Sequence, residues 1–115
     1  LSDQLRNGRL NDGYQVTNEQ YKVALKNLNM LKHEIDLIFN DVDLIITPSA
    51  PGEALKGLEY TGSPIFNTTW SLNGNPCITL PLFKGKQELP IGCQLVVRFG
   101  EDDQLLNYAK AFLEL

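Results

Sequence analysis

The sequence is poor in residues that build metal centres and cross-links: among 115 residues there are two cysteines, one histidine and one methionine. Cys77 and Cys93 form no CxxC pair, and no second histidine accompanies His33. Zinc sites need several such ligands at short spacing, so neither a metal nor another cofactor is expected. Both cysteines lie in strand-like apolar runs, which predicts buried free thiols, while a disulfide between them stays open at this point.

Clusters of basic residues and long apolar runs are also missing. Fourteen acids and ten bases give a formal net charge of -4, and the acids are spread along the chain. This argues against a nucleic-acid partner, because such proteins concentrate Lys and Arg on one surface. No run approaches the roughly 20 apolar residues of a membrane span, and no signal-peptide pattern occurs, so we expect no membrane partner and a cytoplasmic location. The chain begins with Leu1 instead of Met, which predicts a boundary made by cleavage or cloning.

What is present fits one globular domain, with 43% hydrophobic and 21% charged residues. Residues 1–16 predict a short helix that fades into a loop. Thr17 and Gln20 then have the spacing of a capping box, which starts a helix running to about residue 40. Its apolar face is spaced by three and four residues: Tyr21, Leu25, Leu28, Leu31, Ile35, Ile38 and Val42.

The second half of the chain predicts strands. Residues 43–47 are aliphatic without alternation, which is typical of a strand buried on both faces. Residues 48–64 are rich in Pro and Gly and predict a long ordered loop, followed by a helix over residues 65–72 that Gly74 ends. Residues 77–83 and 90–97 predict an antiparallel strand pair with Pro81 at an edge or bulge, and a last helix follows Gly100.

This element order predicts an α/β fold with a partial mixed β-sheet flanked by helices. Three apolar strands and three helices would leave an edge or a face of the sheet uncovered. Such uncovered apolar surface is expected if these strands are part of a larger sheet. There are no internal repeats, linkers or low-complexity tracts.

Several segments, in order, resemble the final third of the amidase signature hydrolases. The most informative one is FNTTWSLNGNPCITLP at residues 66–81, in which a helix-like run meets a strand through a Gly/Pro break. The others are residues 41–52, 61–67, 89–96 and 102–106. The resemblance implies that residues 1–115 are a C-terminal segment of the amidase signature fold, without its N-terminal catalytic part.

The family hydrolyses amide bonds with a serine nucleophile, a second serine with a cis peptide bond and a lysine base. This sequence departs from that pattern, because its four serines are isolated and no Gly-Gly-Ser-Ser run occurs. Lys56 and Lys84 lack the matching context as well. The resemblance therefore assigns no catalytic residue to this chain, and His33, on a helix flank, is expected to be solvated.

The resemblance places one segment beside the substrate channel. On that basis Asn67, Thr68, Trp70 and Ser71 are the expected substrate-binding residues, although Trp70 in the core and Asn67 as a helix cap fit the sequence equally well. The loop over residues 50–63 is a comparable candidate for specificity. Thr47 and Ser49 could contact substrate or stabilise the turn.

Three functions follow. The first is a segment of an amidase that acts on a small carboxamide or an aryl or acyl amide, completing the fold and lining the pocket. The second is a freestanding binding or assembly module, and the third an amidotransferase subunit of the A type. The partner expected for the parent is a small-molecule amide, and self-association of the segment or a homodimer of the parent is compatible with uncovered apolar surface.

Overall fold

The computed structural model describes residue 3 and residues 7–115. The chain divides into two compact units, Leu1–His33 and Glu34–Leu115. The helices are α1 (Arg9–Gln15), α2 (Asn18–Ile38), α3 (Thr68–Asn73) and α4 (Asp102–Leu113), and the strands are β1 (Ile45–Pro48), β2 (Cys77–Lys84) and β3 (Pro90–Val96). The predicted α/β class and element order are confirmed. Part of the short helix expected over residues 1–16 lies outside the described residues.

Helix α2 begins with the predicted capping box. The Thr17 amide donates to Gln20 Oε1 at 2.8 Å, and the Gln20 amide donates to Thr17 Oγ1 at 3.2 Å. These two bonds satisfy two of the amides that a helix leaves without partners in its first turn. In the last part of the helix Ile35 is buried, while Ile38 on the same stripe is 46% exposed. The stripe is therefore present as predicted, and much of it faces solvent in this chain.

The three strands form one antiparallel sheet in the order β1-β3-β2. The predicted β2–β3 pair is confirmed, with Thr79 opposite Gln94 and Leu80 opposite Cys93. The register slips between Leu80 and Phe83, on either side of Pro81. Proline has no backbone N–H group to donate to a neighbouring strand. Pro81 therefore lies where the strand pairing is interrupted, as expected.

One face of the sheet packs on α4 and forms the core. Leu80, Cys93, Leu95 and Val97 lie against Leu105 and Ala109, and all six are buried. Helix α4 carries Asp102 and Asp103 in its first turn, where acids interact favourably with the positive end of the helix dipole. Its apolar residues Leu106 and Leu113 stay 59% and 62% exposed.

The expectation that residues 43–47 are buried on both faces is wrong for this chain. Strand β1 pairs with β3 alone and alternates between half-buried and exposed residues, with Ile46 54% exposed. The aliphatic run predicted cover on both faces, but β1 is an edge strand of this sheet and the α4 contacts are with β2 and β3. Apolar sheet surface thus remains uncovered, as the composition of the strands predicted.

The cysteines are both free, but only Cys93 is buried. Cys77 is exposed, which corrects the expectation of two buried thiols; it lies near the open edge of the sheet, on the first residue of β2. Cys77 pairs with Val96, and Cys93 pairs with Leu80. The two cysteines are therefore three positions apart along the ladder, a distance of about 10 Å. This separation exceeds the reach of a disulfide and closes the alternative that the sequence left open.

Helix α3 is short and ends where the sequence predicted. Gly74 adopts a left-handed conformation with φ of 83°, and its amide donates to the Trp70 carbonyl at 2.8 Å. Glycine takes this conformation without the steric penalty of a Cβ atom. Among the residues described, no helix combines the length and apolar character needed to cross a membrane.

Candidate functional site

The face of the sheet opposite α4 is covered by a proline- and glycine-rich segment, residues 49–67, which we call the covering loop. Between this loop and the strands lies a cavity of about 840 Å³. Apolar side chains make up much of its wall: Ala50, Pro51, Ala54, Leu55, Pro81 and Pro90. Its size and partly apolar lining are typical of small-molecule sites. The prediction of a long loop is confirmed, and the loop lies where it bounds this cavity.

A close approach at Gly92 brings the loop onto the sheet. The Ser49 amide donates to the Gly92 carbonyl at 3.1 Å, one step beyond the end of the β1–β3 ladder. A Cβ atom on Gly92 would stand 2.5 Å from Ser49 Oγ and 2.6 Å from Thr79 Cγ2. The element that approaches this glycine from outside the sheet is the start of the covering loop.

Gln94 holds the far end of the same loop. Its Nε2 donates to the Phe66 carbonyl at 2.9 Å and to Thr47 Oγ1 at 3.1 Å, and the residue is 3% exposed. A buried amide group needs such partners, because an unpaired one would lose its bonds to water without replacement. Gln94 therefore joins β1, β3 and the loop. No role was predicted for it from the sequence, although a polar residue in an apolar strand was the signal.

Glu53 ties the first part of the loop to the turn between β2 and β3. Its Oε1 accepts from the Gln87 amide at 2.8 Å and from the Leu89 amide at 3.1 Å. This residue was likewise not predicted from the sequence. An acid in a loop carries no periodic signal, and its partners are backbone amides more than 30 residues away in the sequence.

The four residues expected to bind substrate lie together at the start of α3, beside the cavity lining and not within it. Asn67 Nδ2 donates to the Ser49 carbonyl at 3.0 Å, and Thr68 Oγ1 donates to the Pro64 carbonyl at 3.0 Å. Trp70 is half-buried and Ser71 is exposed. Asn67 thus holds the residue at which the loop leaves β1, and the substrate-binding role expected for all four residues stays a prediction.

The electrostatics of the cavity are nearly balanced. Its lining contains one acid, Glu53, and one base, Lys56. Oε1 of the acid already accepts hydrogen bonds from two amides. A ligand would therefore meet mainly hydroxyl and amide groups, and little net charge. Ser49 Oγ is buried and has no hydrogen-bond partner among the described residues.

The arrangement can bind a ligand, but it lacks an activated nucleophile. In the described part of the chain no hydrogen bond joins a serine hydroxyl to a lysine or histidine side chain, and His33 is exposed. Nor does that part hold three His, Cys, Asp or Glu side chains that could share a metal ion. Although Cys77 is exposed, partial burial of its thiol raises the pKa, which disfavours the nucleophilic thiolate.

The sequence comparisons agree on one family. The family model described as Amidase matches residues 1–106. A curated relative from Trichormus variabilis, the A-type subunit of a glutamyl-tRNA(Gln) amidotransferase, is 34% identical over 80% of this chain and 20% of its own length. The protein of the same name from Sulfurimonas denitrificans is 32% identical over 91% of this chain and 24% of its own. The chain thus spans about a fifth to a quarter of the length of these curated relatives.

Solved structures give the same fold. The 6-aminohexanoate cyclic dimer hydrolase, solved with its substrate, aligns with a TM-score of 0.69 and 24% identity over 84% of this chain and 24% of that one. A chain from a vestigial protein complex linked to the origins of an s-triazine catabolic enzyme aligns with a TM-score of 0.76 and 19% identity, over 90% and 25% respectively. With the family match covering most of the sequence, these findings show that the chain belongs to the amidase family.

Proposed function

We propose that residues 1–115 are the C-terminal segment of an amidase, and that they supply part of the sheet and one wall of the substrate pocket. The observation that carries this proposal is the cavity under the covering loop, in a chain that belongs to the amidase family. The uncovered apolar surface at β1, including Ile46, supports the view that further sheet packs there in the complete protein. The free thiols are compatible with a cytoplasmic location.

The proposed reaction is hydrolysis of a carboxamide C–N bond by a Ser-cisSer-Lys mechanism whose three residues lie outside this chain. The segment would hold the substrate, while the lysine removes the proton that activates the serine through the second serine. The wall itself bears one acid and one base. This balance supports an uncharged amide with an aryl or acyl group that fills the apolar part of the cavity.

Beside this pocket we assign two roles to the residues around α3. Asn67 shapes the wall through its bond to the Ser49 carbonyl. Thr68, Trp70 and Ser71 face the substrate in the complete protein, with Trp70 as the large apolar contact. Alanine at any of these positions should change the Michaelis constant more than alanine at Lys110, an exposed residue of α4.

The test compares the complete protein with the isolated segment on 4-nitroacetanilide and benzamide. The complete protein should release nitroaniline or ammonia, and the isolated segment should show no turnover because it has no activated serine. Serine-dependent hydrolysis by the segment alone would contradict the proposal. So would a complete protein that binds none of a series of aryl and aliphatic amides.

The names of the curated relatives favour a second candidate, an amidotransferase subunit of the A type. Glutamine hydrolysis that depends on a charged glutamyl-tRNA would identify it, whereas hydrolysis of simple amides without tRNA favours the stand-alone enzyme. Light scattering separates both from a freestanding module: a monomer of the segment that melts cooperatively would favour the module. A dimer or aggregate would suit a segment whose sheet is incomplete.

A further inference from the structure

We propose that Glu53 is a positioning residue for the pocket, acting as a latch that fixes the covering loop on the turn between β2 and β3. The loop is also held at both of its ends. At its start, the Ser49 amide donates to the Gly92 carbonyl. At its end, the Phe66 carbonyl accepts from the Gln94 side chain. Between these points the loop bounds the cavity, and the two bonds to Glu53 join its first part to the hairpin.

The turn is shaped to receive a carboxylate. Two of its amides, of Gln87 and Leu89, converge on the same oxygen, Oε1. The turn closes on itself through the Gly85 amide, which donates to the Leu89 carbonyl at 2.9 Å. Glu88 takes a positive φ of 61°, a rare conformation for a residue with a side chain. Two converging amides make a small anion site, which Glu53 occupies.

Gly85 is the second half of the latch. A Cβ atom there would collide with the Glu53 side chain, and all three of its nearest neighbours belong to that residue. The atoms that an added methyl group would meet first are therefore those of the seated glutamate, which an alanine at position 85 would displace. Gly85 thus provides the space in which the carboxylate sits.

The position of the latch in the cavity wall connects it to ligand affinity. Glu53 and Gln87 both line the cavity, so their contact joins the loop to the hairpin in the cavity wall. A loop freed at this point would have to be ordered again when a ligand binds, and that entropy reduces affinity. The role in substrate binding rests on the proposed function above, whereas the latch itself does not.

The latch is tested by hydrogen–deuterium exchange of the complete protein, resolved to single amides. Glu53→Ala should speed exchange at Gln87 and Leu89 by at least about tenfold, since bonds to a charged acceptor are lost. Glu53→Gln keeps an acceptor oxygen and should speed it by only roughly threefold. Glu59→Ala removes an exposed acid from the same loop and serves as the matched control, with no change at either amide.

A double-variant cycle distinguishes a latch from general loosening. Gly85→Ala alone should unseat the glutamate and match the effect of Glu53→Ala. The combined variant should be no worse than either, because the collision disappears with the side chain. Additive effects, or unchanged exchange at both amides in Glu53→Ala, would overturn the latch.

Kinetics on the same variants test the role in the pocket. With an amide that the complete protein hydrolyses, Glu53→Ala should raise KM several-fold and leave kcat within about twofold, and Glu53→Gln should restore most of the difference. A fall in kcat with unchanged KM, or no change in either, would overturn the positioning role. A complete protein without amidase activity, but with the exchange pattern intact, would contradict the proposed function and leave the latch standing.

Discussion

The two faces of the sheet are held in different ways, although the same strands make both. Under α4 the residues that point from β2 and β3 are aliphatic or sulfur-containing, and they are buried without polar partners. On the opposite face Thr79, Gly92 and Gln94 point at the covering loop, and the contacts are hydrogen bonds and close backbone approach. The α4 face is an apolar core, and the opposite face, which includes the fully buried Val96, holds the loop through polar contacts.

This difference separates stability from the shape of the pocket. Apolar burial stabilises in proportion to area and has no direction, so the α4 face tolerates small shifts. Hydrogen bonds require particular distances and angles, so the loop face can place a cavity wall accurately. Substitutions on the two faces should therefore differ in kind as well as in size.

The largest effect is expected on the core face. Leu95→Ala removes a fully buried side chain and should reduce the free energy of unfolding by about 2 to 5 kcal/mol, through lost burial and a residual cavity. Leu106→Ala, on the exposed side of α4, is the matched control and should cost well under half as much. Urea unfolding followed by the fluorescence of Trp70 measures both, and equal costs would break the distinction between core and surface.

A smaller effect is expected at Gln94. Gln94→Leu keeps the size of the side chain but removes the donor to the Phe66 carbonyl and Thr47 Oγ1, at a cost of about 1 to 3 kcal/mol. The loop should also become more accessible to protease around residue 66, which Leu95→Ala should not cause at a matched loss of stability. If both variants expose the loop equally, the two faces act as one unit.

Gly92→Ala acts by steric collision and should cost at least about 1 kcal/mol. The added methyl group would meet Ser49 Oγ and Thr79 Cγ2, which forces the start of the covering loop away from the sheet. Gly52→Ala, in the same loop with open space around the position, should be nearly neutral. A ligand-binding measurement on both variants sharpens the comparison, because affinity should fall only for Gly92→Ala.

The smallest effect concerns the two thiols, which differ in exposure. Cys93 on the core side should react with a thiol reagent only after unfolding, and Cys77 should react in the folded protein. Because burial raises the pKa of Cys77, its thiolate forms at higher pH than that of a free cysteine. Labelling of the Cys93→Ser variant across pH 7 to 10 should therefore lag behind a model thiol, and an equal rate would contradict the assignment.

Much of the fold could be predicted because its signals are local. The capping box at Thr17, the glycine that ends α3 and the Pro81 bulge each depend on residues within a few positions, and each was confirmed. The errors concerned burial. The aliphatic residues of β1 predicted two covered faces and the run around Cys77 predicted a buried thiol, but burial depends on neighbours that the sequence of a strand does not specify.

The candidate site was harder to predict for the same reason. The loop over residues 50–63 was identified from its composition, and it does bound the cavity. Its anchors were not identified, because Glu53 and Gln94 act through partners that are distant in sequence.

The order of the elements, some of their ends and the family can be read from the amino-acid sequence alone, since these depend on short-range periodicity, caps and motif spacing. Packing in three dimensions selects which face of the sheet the loop covers, where the cavity lies and which amides hold Glu53. Those outcomes require the strand register and the hairpin turn to exist first, because the Gln87 amide can donate to Glu53 at 2.8 Å only after the fold has brought the two residues together.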